Sequence, residues 1–327
     1  MSVNVTSSSP LRVGVVGAGF FGRLHARKYA ALPGVELIGI ADPESAAAGD
    51  AAAQAGCAAY GNHRDMIGLV DAVSIASPAS THAAVALDFL RAGVHVLVEK
   101  PLAVSLADAD QMIAEAARAG LVLQTGHQER YVFAASGLLS RGKAPLSIEC
   151  HRAGPFTGRG TDVSVVLDLM THDLDLVHQL APSPVASVKA VAHHIPGSWS
   201  DEVKAILRLE DGCRVSLFAS RMAEARRRFM RVTYDDGLVE IDFINRTVEN
   251  STPDAIAPAF FPSTDGTPGI ADDPLGYAIA RFADSARTGR SPLVKPEDAR
   301  RALDTALSIL EAARSPAMRP RALMAAD

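Results

Sequence analysis

Over the first third of the chain, short apolar runs alternate with stretches of helical period. Apolar residues run together over 11–17, 35–41, 72–76, 95–98 and 121–125, the lengths expected of buried strands. Between them, segments 20–32, 44–55, 80–92 and 105–118 carry apolar positions at helical spacing. Continuous apolar strands separated by helices predict right-handed crossovers and a parallel sheet covered on both faces.

The pattern changes after Gly126. A short helix, a strand at 147–151 and a longer helix at 163–180 come first. Strands at 185–194, 202–209, 214–220, 229–234 and 238–243 then follow with little helix between them. Asp211-Gly212 and Asp236-Gly237 mark turns, so consecutive strands pair in a mostly antiparallel sheet. Residues 250–274 are rich in Pro, Gly, Ser and Asp and read as a loop; helices at 275–288 and 296–314 close the pattern. Residues 1–10 and those after Pro316 read as disordered and frayed ends. The expected fold class is therefore α/β. A doubly wound parallel sheet of the Rossmann kind occupies 1–126, and an α+β domain for substrate binding and oligomerisation occupies 127–327.

Composition supports this division. At 327 residues the chain exceeds what one hydrophobic core organises, ~250–300 residues. A formal net charge of −5 argues against a nucleic-acid partner. No apolar run is long enough to span a membrane, and the opening MSVNVTSSSP lacks the basic start and apolar core of a secretory signal. Cys57, Cys150 and Cys213 stand too far apart for a metal or redox motif, so no metal is expected and a reducing cytoplasm is the natural setting.

The first strand runs into Gly17-Ala18-Gly19-Phe20-Phe21-Gly22, a G-x-G-x-x-G turn that opens a helix. Gly17 permits the tight turn, Gly19 lets a pyrophosphate approach the backbone, and Gly22 lets the helix pack close to the sheet. The helix start, with Phe20 and Phe21 in its first turn, supplies N–H donors and a positive dipole end. Asp42 ends the next strand, ~20 residues on, where an acid accepts hydrogen bonds from ribose hydroxyls and repels a 2′-phosphate. No arginine or lysine follows it directly, which favours NAD, with NADP as the alternative. Asp42 before Pro43 also fits a helix N-cap, and the two roles are compatible.

Two further segments carry chemistry. Val98-Glu99-Lys100-Pro101 ends a strand at the sheet edge where open parallel sheets bind ligands. Lys100 there can approach a nicotinamide, or else be a solvated lysine paired with Glu99. Asp168 and His172 are four apart and share one helix face. By themselves they read first as a local pair that stabilises the helix, and they also suit proton transfer.

GAGFFG, Glu99-Lys100-Pro101, the segment GHQERY at 126–131 and Asp168-Leu169-Met170-Thr171-His172 together resemble the Gfo/Idh/MocA oxidoreductase family, over roughly 11–314. The resemblance implies Lys100, Asp168 and His172 as catalytic residues. It places Ser77, His82, Glu99 and Lys100 beside the cofactor with Gly17, Gly19, Phe20, Phe21, Gly22 and Asp42. A surface histidine at a helix start is the plainer reading of His82. Met170 stands where many relatives have glycine, and implies a reshaped pocket. VVLDLMTHDLDLV at 165–177 and GHQERY resemble a subgroup that oxidises the C3 hydroxyl of UDP-N-acetylglucosamine. Arg130, Arg152 and Arg159, with Asp168 and His172, are then the expected substrate contacts, since guanidinium groups match a diphosphate. Alternatives are a free-sugar or inositol dehydrogenase, an imine reductase, a glycosidase using bound NAD transiently, and a non-catalytic dinucleotide sensor. The resemblance also implies a homodimer or homotetramer built through the antiparallel sheet.

Overall fold

A computed structural model of the chain describes residues 9–158, 160–194, 199–256 and 273–314. The two end segments expected to be disordered or frayed lie mostly outside these. The chain divides into two compact units, one of residues 1–128 with 273–297 and the other of 129–272 with 298–327.

The first unit is the expected parallel sheet. Strands β1 (Leu11–Val16), β2 (Val35–Ala41), β3 (Ala58–Tyr60), β4 (Ala72–Ile75), β5 (His95–Val98) and β6 (Leu123–Thr125) take the order β3-β2-β1-β4-β5-β6. All five pairings are parallel. Helices α1 (Phe20–Ala31), α2 (Ser45–Ala55), α3 (His82–Arg91) and α4 (Leu106–Ala119) make the crossovers. Local chemistry sets their ends. The Ser105 hydroxyl accepts the Asp108 N–H at 3.1 Å to start α4, and left-handed Gly120 stops it. The short strand β3 breaks the expected alternation, because Ala58 and Ala59 carry too little apolar character to stand out.

Helix α5 (Glu129–Ala135) opens the second unit, which also holds α6 (Thr171–Leu180) and α8 (Pro296–Arg314). Helix α7 (Pro274–Thr288) corrects the expected boundary: it follows the second unit in sequence but belongs to the first. Leu275, Ile279, Phe282 and Ala283 join one buried cluster with Val13, Val15, Tyr29 and Ile40. Each large apolar side chain buried this way contributes about 1.5–3 kcal/mol, so the helix goes where its apolar face is covered. Pro274, expected in the loop, is the first residue of α7, behind an Asp273 cap that accepts the Gly276 N–H.

The second unit's sheet contains β7 (Ser147–Ala153), β8 (Val185–His193), β9 (Glu202–Leu209), β10 (Arg214–Ser220), β11 (Arg227–Tyr234), β12 (Gly237–Asp242) and β13 (Thr247–Asn250). The order is β13-β12-β11-β7-β10-β9-β8, antiparallel except for the β7–β10 pair. Burial alternates strictly along β9, as a sheet with one covered face requires. Val203, Ala205 and Leu207 share the covered face with Ala219, Leu217 and Val215 of β10 and with Arg152, Cys150 and Ile148 of β7. The opposite face carries a cross-strand row of Lys204, Phe218, His151 and Phe229, with ring centroids 4.6 and 5.4 Å apart along Phe218–His151–Phe229.

The helix expected over 163–180 is not uniform. A π-helical turn at Val166–Met170 leads into α6. Such turns insert a residue into the helical ladder and recur at functional sites.

Candidate functional site

In the first unit, the candidate residues gather where β1, β2, β4 and β5 end. Gly17 has φ +100°, and a Cβ there would lie 2.6 Å from the Ala76 carbonyl oxygen. Gly22 sits so close beneath the turn that its Cβ would fall 1.8 Å from the Gly17 oxygen. Gly19 faces open space, with nothing within 4 Å of an added Cβ. No side chain caps the start of α1. Phe20 and Phe21 lie exposed beside it in an edge-to-face pair. The turn therefore leaves a cradle of backbone over a helix N-terminus, which fits a dinucleotide pyrophosphate.

Asp42 braces this turn. One carboxylate oxygen accepts the Ala18 N–H at 2.7 Å and the other the Glu44 N–H at 2.9 Å. Helix α2 has Glu44 at its cap position, so Asp42 forms a turn ahead of the helix and is not its N-cap.

Three residues expected to line the cofactor pocket have partners within this unit. His82 is buried, with Nδ1 2.8 Å from the Pro101 carbonyl oxygen and Nε2 3.0 Å from that of Ser77. It ties together the segments after β4 and β5 and is not a surface histidine. The Ser77 hydroxyl pairs with that of Thr81 at 2.7 Å. Glu99 is buried against His25 of α1, Oε1 to Nε2 3.0 Å, and an added Cβ on Gly126 would strike its carboxylate. Burial pushes the Glu99 carboxyl up, but the His25 hydrogen bond and the charges of His25, Lys100 and His82 hold it below the ordinary value. His25, three residues past Gly22, escaped sequence reasoning; its spacing from the glycine turn was the signal. Lys100 follows Glu99 and is half-buried.

In the second unit, every residue from 163 to 180 is buried except Asp168, Leu169, His172 and Gln179. The acid and the histidine are thus two of the four partly exposed residues of an otherwise buried segment. Met170, between them, is fully buried.

Arg130 and Arg152 are also corrected. Arg130 is 2% exposed and engages both oxygens of Asp175, with Asp298 of α8 at 3.2 Å. Arg152, also 2% exposed, takes both oxygens of Glu129 at 2.9 and 2.6 Å and bonds Asp173 at 2.8 Å. Two carboxylates hold the Arg152 guanidinium well above its ordinary pKa, although burial opposes this. Burial pushes the Asp173 carboxyl above the usual range despite Arg152. Neither arginine is available to a diphosphate. Arg159 lies outside the described residues. The sequence reading missed Arg228, which stands opposite Arg152 in the β11–β7 register. Its pKa is lowered by burial and by Arg152, and its side chain forms no hydrogen bond or ion pair among the described residues. Glu129, likewise missed, places Oε2 3.9 Å from His172 Nδ1.

Residues 11–127 match the oxidoreductase family with an NAD-binding Rossmann fold, and residues 142–240 match the GFO/IDH/MocA C-terminal domain. The chain belongs to the GFO/IDH/MocA oxidoreductase family. Among members of this family, UDP-N-acetylglucosamine 3-dehydrogenase of Acidithiobacillus ferrooxidans is 36% identical over 82% of this chain and 83% of its own. The solved structure of that enzyme, GnnA, superimposes with a TM-score of 0.83 at 34% identity, covering 93% of this chain and 97% of its own. GenD2 from gentamicin A biosynthesis, solved in complex with NAD, shares the fold with a TM-score of 0.80 at 24% identity, over 94% and 95% of the two chains. The family match bears out the expectation of an oxidoreductase with an NAD-binding Rossmann domain. No described helix is long and apolar enough to cross a membrane.

Proposed function

We propose that this oxidoreductase oxidises a secondary hydroxyl of a nucleotide sugar, the C3 hydroxyl of UDP-N-acetylglucosamine, using NAD. The observation that carries the chemistry is that Asp168 and His172, four residues apart, are both partly exposed in a segment where only Leu169 and Gln179 are otherwise not buried. Similarity to the A. ferrooxidans enzyme across most of both chains supports the substrate.

Gly17, Gly19 and Gly22, the first turn of α1 and Asp42 would hold the dinucleotide, whose chemistry is to accept the hydride from the carbinol carbon. His172 takes the hydroxyl proton. Its Nδ1 lies 3.9 Å from Glu129 Oε2, and we assign Nε2 to the substrate. Lys100 stabilises negative charge on the carbinol oxygen, and Asp168 orients the substrate. The products are the 3-keto sugar, NADH and a proton. With Arg130 and Arg152 spent on carboxylates, Arg228 is the guanidinium we assign to the diphosphate. We further assign the outer sheet face, with its Lys204–Phe218–His151–Phe229 row and half-exposed Ile206, to a second copy of the chain, in a dimer or tetramer. Three unpaired cysteines suit a reducing cytoplasm.

NADH absorbance with NAD and UDP-N-acetylglucosamine tests the proposal, with NADP and free sugars in parallel and Lys100→Ala as control. Turnover with the nucleotide sugar, lost in Lys100→Ala, is expected. Turnover only with free sugars overturns the substrate. NAD binding without turnover of any alcohol overturns the reaction.

A further inference from the structure

The sharing of Arg152 between two carboxylates has a bearing on His172. Glu129 begins α5, Arg152 lies on β7, and His172 and Asp173 begin α6. Arg152 meets the Glu129 carboxylate end-on, with one nitrogen on each oxygen, so the carboxylate plane is fixed. Asp173 occupies the remaining Nε edge, at 3.2 Å to each oxygen. Clamped this way, Glu129 turns Oε2 toward His172 Nδ1 at 3.9 Å.

Charge points the same way. Arg152 and Arg228 of β11, opposite it in the β11–β7 register, balance Glu129 and Asp173 in number, but the charge on the Nδ1 side of the imidazole is the Glu129 carboxylate. Other charged groups nearby are Asp168 in the π-helical turn and Asp175 on α6, which Arg130 of α5 neutralises. We infer that Glu129 is a positioning residue for His172, clamped by Arg152 so that its carboxylate holds the Nδ1 side of the ring and thereby sets the direction of Nε2. The inference rests on the reading of His172 as proton acceptor. A carboxylate so placed also favours the protonated ring that follows proton uptake.

Glu129→Gln keeps the shape and removes the charge. The expected result is a fall in kcat of about 10-fold or more, with KM for the sugar and Kd for NAD within about threefold of wild type. The acid limb of the kcat/KM profile moves down by roughly one pH unit, because an opposite charge within ion-pair distance no longer favours the imidazolium. A merely structural Glu129 leaves that limb in place. Glu129→Asp keeps the charge on Arg152 while withdrawing it from His172, and lowers kcat in the same direction should the glutamine variant fail to fold. An NMR titration of the imidazole nitrogens, with the His172 signal assigned by its loss in His172→Gln, reads the same coupling without turnover. Its His172 midpoint falls in Glu129→Gln. An unchanged midpoint with unchanged kcat overturns the inference. A shifted midpoint in an enzyme that oxidises no alcohol leaves the pairing intact and refutes the catalytic reading of His172.

Discussion

Alanine at Gly19 and at Gly22 should separate the folding role of the glycine turn from its binding role. At Gly22 the new Cβ falls 1.8 Å from a backbone oxygen, against an ordinary C···O contact of ~3.3 Å, so the turn or α1 must shift by more than an ångström. Overpacking of this kind costs about 1–3 kcal/mol, which lowers Tm by roughly 3–10 °C in a unit of this size. The shift also displaces the helix start from the pyrophosphate, so NAD affinity falls with stability. At Gly19 the backbone is extended (φ −70°, ψ −170°) and the Cβ meets nothing within 4 Å. Any residue fits there without strain, so Gly19→Ala should unfold within about 1–2 °C of wild type. Its methyl group nevertheless occupies the space the pyrophosphate needs, and Kd for NAD should rise at least 10-fold, about 1.4 kcal/mol. Scanning calorimetry without ligand and titration calorimetry with NAD measure both quantities. Gly19→Ala with wild-type Tm and wild-type Kd would refute the cradle as the dinucleotide seat. Gly22→Ala with wild-type Tm would refute the packing argument.

Three further outcomes follow from charge and burial. Burial lowers the His178 pKa to about 4, with Arg301 assisting and Asp175, Asp298 and Asp304 opposing. Between its unfolded value of 6.5 and that folded value, only the unfolded chain holds the proton. Stability should therefore fall as pH drops through this window, by about 2 kcal/mol from pH 7 to pH 5, and His178→Gln should remove that part of the pH dependence in urea unfolding. Arg152→Leu strands Asp173, 2% exposed, without its cation, and should cost about 3–5 kcal/mol by denaturant titration. Arg228→Leu should raise KM for the nucleotide sugar about 10-fold or more while Kd for NAD holds; an unchanged KM would remove Arg228 from the diphosphate site.

What could be read from the chain was the chemistry that neighbours in sequence supply. Strand β1, the glycine turn and α1 follow one another without interruption, so their apolar run and spacing reveal both turn and cradle. The destination of a guanidinium is different. Arg130 finds Asp175 45 residues away and Asp298 168 residues away, and Glu99 finds His25 across 74. Nothing local distinguishes an arginine bound for an interior carboxylate from one bound for a phosphate, and two expected substrate contacts proved to be interior pairs. The π-helical turn was invisible for another reason. Its one polar residue, Asp168, suits an ordinary α-helical period equally well, so nothing marks where the ladder gains a residue. Helix α7 shows its amphipathic period clearly, but the period does not say which unit covers its apolar face.

The return of α7 to the first unit means that this unit is not finished when its sixth strand is made. The cluster of Val13, Val15 and Tyr29 lacks Leu275, Ile279 and Phe282 until nearly the whole chain exists. At ~5–20 residues per second of synthesis, some 150 residues of delay amount to many seconds with part of that cluster uncovered. A fragment cut after Gly126 would carry the same gap permanently, whereas one that joins residues 273–297 to it would close it.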